Sequence, residues 1–157
     1  MKIKLIQIGK TEESYLQDGI KKYISRITHY IPFELISLPD IKNGNKMAIE
    51  KLKEEECKFI SSKITVSDVV VLLDEKGLQL SSVEFSQNLQ KKMNASVSTI
   101  VFVIGGAFGF SKEMYARSNE KLSISKMTFS HQMIRLLFVE QLYRALTILK
   151  GEKYHHD

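Results

Sequence analysis

The sequence holds one cysteine, two prolines and no tryptophan. A lone thiol cannot close an intrachain disulfide, so no covalent staple is available to the fold. Cys57 sits in a charged stretch with no base beside it, which argues against a thiol nucleophile. The prolines act as punctuation: Pro32 ends a helical pattern and Pro39 ends a strand. No apolar run reaches the roughly 18 residues that a membrane span needs. The opening Met1-Lys2-Ile3-Lys4-Leu5-Ile6 has a basic end, but its apolar stretch is too short for a signal peptide and no small-residue cleavage site follows. The expected compartment is therefore the cytoplasm. Also missing are a Gly-Lys-Ser/Thr phosphate loop, the dinucleotide glycine fingerprint and a Gly-x-Ser-x-Gly nucleophile elbow.

What is present is an ordinary globular composition. At 157 residues and 43% hydrophobic content, the chain can build one real core, and a single domain over residues 1–157 is expected. The net charge of +5 favours a polyanionic partner, though mildly.

Periodicity assigns the elements. Lys2 to Ile8 alternates as a strand and ends at Gly9. Thr11 or Ser14 caps a helix through about Tyr30, with Leu16, Ile20, Tyr23, Ile24 and Ile27 at helical spacing. Phe33 to Leu38 is a strand. Asp40 to Asn45 is a polar loop. Lys46 to Ser62 is a charged helix with Ile49, Leu52, Phe59 and Ile60 inward, its Lys/Glu face turned to solvent. Asp68 to Leu73 is a buried strand, with Asp74 to Gly77 as the turn after it. Ser81 or Ser82 starts a helix to about Met93, and Thr99 to Ile104 is a second buried strand. Ser111 caps a short helix, Lys121 to Ile124 is extended, and Ser130 to Lys150 is the longest helix. Strands alternate with helices, and the central strands are near-continuously apolar. That predicts an α/β fold with a mostly parallel sheet and helices on both faces.

The last helix is apolar over well more than the roughly 100° of arc that one core-facing stripe needs. It is either a homodimer seam or a helix buried at the centre of the core. Arg135 and Arg144 lie on it, and charges in such a setting need a partner or a role.

Three segments could wall a ligand site. Gly105-Gly106-Ala107-Phe108-Gly109 follows an apolar strand, where open α/β sheets bind ligands. It is also readable as a plain tight turn. Ser123 to Phe129 is hydroxyl-rich and precedes a helix, so it can cap that helix as well as grip a base edge. Leu72-Leu73 and the turn at Gly77 form the third wall, or are simply core. His155 and His156 have no third ligand at metal-binding spacing, so no metal site is expected.

Taken together, the Met1-Lys2-Ile3 start, Ile104-Gly105-Gly106, Ser125-Lys126-Met127-Thr128-Phe129 before His131-Gln132, Glu140-Gln141-Leu142-Tyr143-Arg144-Ala145 and the Tyr154-His155 ending resemble the SPOUT superfamily of RNA methyltransferases. Within it, the chain is similar throughout its length to the RlmH family of large-subunit rRNA methyltransferases. The resemblance implies a C-terminal trefoil knot and a homodimer. It implies S-adenosyl-L-methionine as cofactor, held by Leu73, Gly105, Ile124, Ser125, Lys126, Met127, Thr128 and Phe129. The implied substrate is a pseudouridine of 23S rRNA, methylated on N3 within the assembled ribosome. Removing the N3 proton leaves negative charge, which calls for a base or a stabilising cation. Arg144, Tyr154 and His155 are the catalytic candidates, with His155 as the base. Ser130 stands where the family commonly has proline, and His156 where it commonly has a more basic residue. A tRNA methyltransferase and a non-catalytic RNA-binding module are the alternatives.

Overall fold

The computed structural model describes residues 1–156; Asp157 lies outside the described residues. Along the chain come β1 (Lys2–Ile8), α1 (Ser14–Ile27), β2 (Phe33–Leu38), α2 (Ile49–Ser61), β3 (Val69–Gln79), α3 (Ser82–Asn94), β4 (Thr99–Ile104), α4 (Lys112–Arg117), β5 (Glu120–Ser123) and α5 (Met133–Leu149). The strands form one sheet in the order β2-β1-β4-β3-β5, and every pairing is parallel. This is the expected α/β arrangement. Parallel neighbours need crossover connections, and here each crossover carries a helix.

Side chains alternate across the strands, so the sheet separates two apolar layers. Ile3, Leu5, Val71, Ile100, Phe102 and Ile104 face one layer, together with Phe138, Val139, Leu142 and Leu146 of α5. Ile6, Ile8, Val70, Leu72, Val101 and Val103 face the other, with Ile60 of α2 and Met114 of α4. Burial of each such side chain contributes about 1.5–3 kcal/mol.

Four local expectations are corrected. The first concerns β3, which does not stop at Leu73. It runs on to Gln79, with a register break in which Leu122 of β5 partners both Leu73 and Leu78. The expected turn at Asp74 to Gly77 is thus an excursion within a strand. Gly77 suits it, because a Cβ there would lie 2.7 Å from the Leu122 backbone. Second, neither Thr11 nor Ser14 caps α1: the helix begins at Ser14, with Glu13 at its N-cap and no side chain bonded to its first turn. The Thr11 hydroxyl is occupied elsewhere, accepting a hydrogen bond from Arg135 Nη1 at 3.1 Å.

Third, Ile49 and Phe59 of α2 are exposed, whereas Glu56 is buried beside Ile60. The remaining acids and lysines of α2 do form a solvated ladder, with Lys51 and Lys58 both on Glu55 and Lys53 on Glu50. Fourth, α5 starts at Met133 rather than at Ser130, and the Ser130 hydroxyl accepts the Met133 N–H at 3.1 Å.

α5 packs against both α1 and α3. Gly19 of α1 admits Leu136, whose Cδ1 would stand 2.8 Å from a Cβ at that position. Arg135 is fully buried and donates to the Ile8 carbonyl at 2.5 Å as well as to Thr11. It ties α5 to the end of β1. On the opposite side of α5, Met133, Leu137 and Ile148 remain partly exposed at helical spacing.

Candidate active site

A cavity of about 620 Å³ opens where β4 and β5 end, beside the register break of β3 after Leu73. Its floor is the carboxyl edge of the sheet, which is where open α/β folds bind ligands. One wall is Leu73 to Lys76, the second is Ile104 to Phe110, and the third comes from Leu122 to His131. Ile134, in the first turn of α5, closes it behind. Leu73, Gly105, Ile124, Ser125, Met127, Thr128 and Phe129 all line this space, whereas Lys126 does not.

The hydroxyl-rich wall is folded by its own side chains. Ser123 Oγ donates to the Ser125 carbonyl at 2.8 Å, and Ser125 Oγ accepts the Met127 N–H at 2.9 Å. Short polar side chains commonly hold turns in this way. Thr128 then donates to the Glu75 carboxylate at 3.0 Å, joining the third wall to the first. Met127 is 76% exposed, so it stands at the rim.

The glycine wall is gripped from both sides. Gly109 takes φ +79°, and its N–H reaches the Gly106 carbonyl at 3.2 Å. A Cβ on Gly105 would meet the Phe110 ring at 3.0 Å, and one on Gly106 would meet the Glu56 carboxylate at 2.5 Å. Only glycine fits at Gly106 without moving a buried acid. Acid also lies at the mouth. Asp74 accepts the Tyr115 hydroxyl, and burial together with that bond pushes the Tyr115 phenol up to about 12.

Arg144, Tyr154 and His155 lie elsewhere in the chain's own structure, and none lines the cavity. They gather at the far end of α5. The Arg144 Nε and Nη2 both donate to Glu140 Oε1, at 3.1 and 2.6 Å. That ion pair holds the guanidinium pKa above its usual value. The Tyr154 hydroxyl lies 3.2 Å from both Glu140 Oε1 and the Tyr23 hydroxyl. Burial, then these neighbours, raises the Tyr154 phenol well above its ordinary value, so it stays protonated at neutral pH. Tyr154 also meets Tyr143 edge-on at 4.7 Å, and Tyr30 donates to Glu152 at 2.6 Å, fastening the tail to α1 and its C-terminal extension. α5 has 17 residues. At 1.5 Å per residue, its two ends are about 25 Å apart.

Sequence reasoning did not single out Glu56, Asp74, Glu75 or Tyr115. For Glu56 a signal existed: Leu52, Glu56 and Ile60 share one helical face at i, i+4 spacing.

The family described as predicted SPOUT methyltransferase matches residues 1–155. A protein named ribosomal RNA large subunit methyltransferase H from Cytophaga hutchinsonii is 52% identical over 99% of this chain and 100% of its own. Proteins of the same name from Parabacteroides distasonis and Flavobacterium psychrophilum are 52% and 54% identical, each over 100% of both chains.

Proposed function

The chain belongs to the SPOUT methyltransferase family, and from that premise we propose that it methylates N3 of a pseudouridine in 23S rRNA of the assembled ribosome, using S-adenosyl-L-methionine. Methylation of large-subunit ribosomal RNA is the activity for which its full-length relatives are named. The whole chain is read as one domain, its C-terminal segment threaded as a trefoil knot. The observation that carries the reading is the convergence of Leu73, Gly105, Ile124, Ser125, Met127, Thr128 and Phe129 around one cavity.

The residues present suit this cofactor. Leu73, Ile104, Leu122, Ile124 and Ile134 offer apolar surface to a purine, and the turns around Gly105 and Ser125 offer backbone groups to its edge. Asp74 and Glu75 place negative charge at the mouth, which matches a ligand bearing a sulfonium and an ammonium. The absence of a phosphate cradle fits a cofactor without phosphate. When bound, the cofactor supplies an electrophilic methyl group.

The protein's own work is then positioning and charge. The pseudouridine N3 must give up its proton as it gains the methyl group. His155 accepts that proton, and the Arg144 cation stabilises the charge that develops on the base. Tyr154, kept protonated, acts as a donor and as the platform on which Arg144 rests.

A homodimer brings these groups to the cavity. Met133, Leu137 and Ile148 form a partly exposed apolar stripe along α5, and Arg144 lies on that same side. Pairing two such helices antiparallel about a two-fold axis sets the C-terminal end of one beside the N-terminal end of the other. The cavity is at the N-terminal end and the catalytic cluster at the C-terminal end, so each site would draw on both protomers. Among the described residues no helix is long and apolar enough to cross a membrane. The ribosomal substrate sets the working compartment as the cytoplasm.

The test is transfer of labelled methyl from S-adenosylmethionine to ribosomes lacking the modification, compared with bulk tRNA, followed by mass mapping of the labelled nucleotide. Label confined to a pseudouridine of 23S rRNA is the expected result. Label on tRNA alone would remove the substrate assignment, and absence of cofactor binding would remove the enzyme assignment.

A further inference from the structure

Beneath the glycine wall sits a carboxylate to which the reading above gives no task. The acids Glu50, Glu54 and Glu55 of α2 face outward, two of them paired with lysines. Glu56 is turned inward and is only 8% exposed. It packs on the same face as Ile60, under the end of β4. A buried carboxylate is costly unless it is hydrogen-bonded. Its carboxylate lies against the Gly106 backbone, whose N–H opposes the upward shift that burial gives the acid. The fit is tight, since a Cβ on Gly106 would lie 2.5 Å from Glu56 Oε1 and 2.9 Å from Oε2. On the neighbouring residue, Phe110 takes up the space that a Gly105 side chain would need. The turn is thus held between an acid from α2 and a ring from its own loop.

We propose that Glu56 is a positioning residue for the cofactor wall: by accepting the Gly106 N–H, it fixes the Gly105–Gly106 peptide in the orientation that presents backbone polar groups to the cavity. The proposal rests on the reading of that cavity as the S-adenosylmethionine site. A carboxylate suits the task because it is purely an acceptor and cannot flip to offer a donor. Its bond to a backbone N–H is charge-assisted and about twice as strong as a neutral one. Glutamine preserves the shape and one acceptor oxygen without the charge. Alanine leaves the Gly106 N–H facing an empty space, and the turn is then free to rotate.

The experiment titrates S-adenosylmethionine into the full-length protein by calorimetry. It compares wild type, Glu56→Ala, Glu56→Gln, Gly106→Ala and the Glu56→Ala/Gly106→Ala double variant, with melting temperature and steady-state kinetics beside each. Loss of one buried hydrogen bond at the wall should weaken binding about tenfold in Glu56→Ala and roughly threefold in Glu56→Gln. The KM for the cofactor should rise with little change in kcat, and glutamine should rescue most of the loss, which a general loss of packing would not produce. Gly106→Ala should weaken binding more in the Glu56 background than in the Glu56→Ala background, where space has been opened.

Wild-type affinity in Glu56→Ala overturns the proposal, as does an equal effect of Gly106→Ala in both backgrounds. Should the alanine variant not fold, wild-type affinity in Glu56→Gln overturns it. Absence of saturable binding to the wild type would instead bring down the cofactor reading, and the proposal with it.

Discussion

The guanidinium carbon of Arg144 lies 4.7 Å from the centre of the Tyr154 ring, while Glu140 Oε1 is bonded to the guanidinium and lies 3.2 Å from the Tyr154 hydroxyl. One carboxylate oxygen therefore sets the position of two candidate catalytic groups. Arg144→Ala should lower kcat about 10²–10³-fold, the usual effect of removing one charge stabiliser. Tyr154→Phe keeps the ring under Arg144 and should cost only about tenfold. Cofactor affinity should stay within error of wild type in both, because neither residue is part of the cofactor walls of its own chain and both are assigned to the base that receives the methyl group. Single-turnover methylation and calorimetry on the same preparations check this.

Deleting the residues after Lys153 removes Tyr154 and His155 without touching the sheet. Methylation of ribosomes should fall below detection, with S-adenosylmethionine still bound. A truncate that methylates at the wild-type rate would rule out the tail as part of the active site.

Leu137 lies on the partly exposed side of α5, on the stripe shared with Met133 and Ile148. Leu137→Glu introduces a charge there while sparing the buried stripe of Phe138, Leu142 and Ala145. The variant should run as a monomer in analytical ultracentrifugation and lose methylation. A monomer with full activity would show that each chain completes its own site.

Arg135 is fully buried with the Ile8 carbonyl and the Thr11 hydroxyl as acceptors. Arg135→Met matches its bulk but leaves a buried carbonyl unpaired, at a cost of about 2–4 kcal/mol. For a chain of this size that lowers the melting temperature by roughly 5–15 °C. Arg135→Lys should recover only part of the loss, because a point charge cannot serve both acceptors as the planar fork does. Differential scanning calorimetry reads the series.

Burial, and to a lesser degree the charge of Asp40, raises the Glu56 carboxyl above its ordinary 4.5, while the Gly106 N–H opposes that shift. A raised carboxyl binds its proton more tightly in the folded than in the unfolded state. Its stabilising contribution is complete below 4.5 and is lost as pH rises through the folded value. Glu56→Gln does not titrate. The melting temperature of the variant relative to wild type should therefore be highest at pH 7 and decline as pH falls toward 4.5. A difference independent of pH across that range would contradict the raised value.

Much of this was legible in the chain before its structure. The alternation of Ile3 and Leu5 against Ile6 and Ile8, and the apolar runs at Val69 to Leu73 and Thr99 to Ile104, announce a sheet buried on both faces. Ser81 and Ser111 announce their helices, and both cap as expected. Glu56 was hidden by its company, because a helix rich in lysine and glutamate reads as solvated until its one inward acid is located. Thr11 is not a cap because the helix starts beyond it, at a Glu13 N-cap, and its hydroxyl instead accepts from Arg135, far along the chain. The walls at Gly105 and Ser125 were visible as candidates, but only the fold brings Leu73 between them. The separation of Arg144 from the cavity could not be read at all, since it depends on the length and direction of one helix.

Between Leu73 and Leu78, β3 advances while β5 stays in place at Leu122. Elsewhere in a sheet, inserting or removing one residue turns every following side chain to the wrong face. Here the length of chain is uncoupled from the register, so this segment can grow or shrink while the core remains in step. The lip of the cavity that carries Asp74 and Glu75 is thus the place where the chain can change in length without turning the strands that hold the floor.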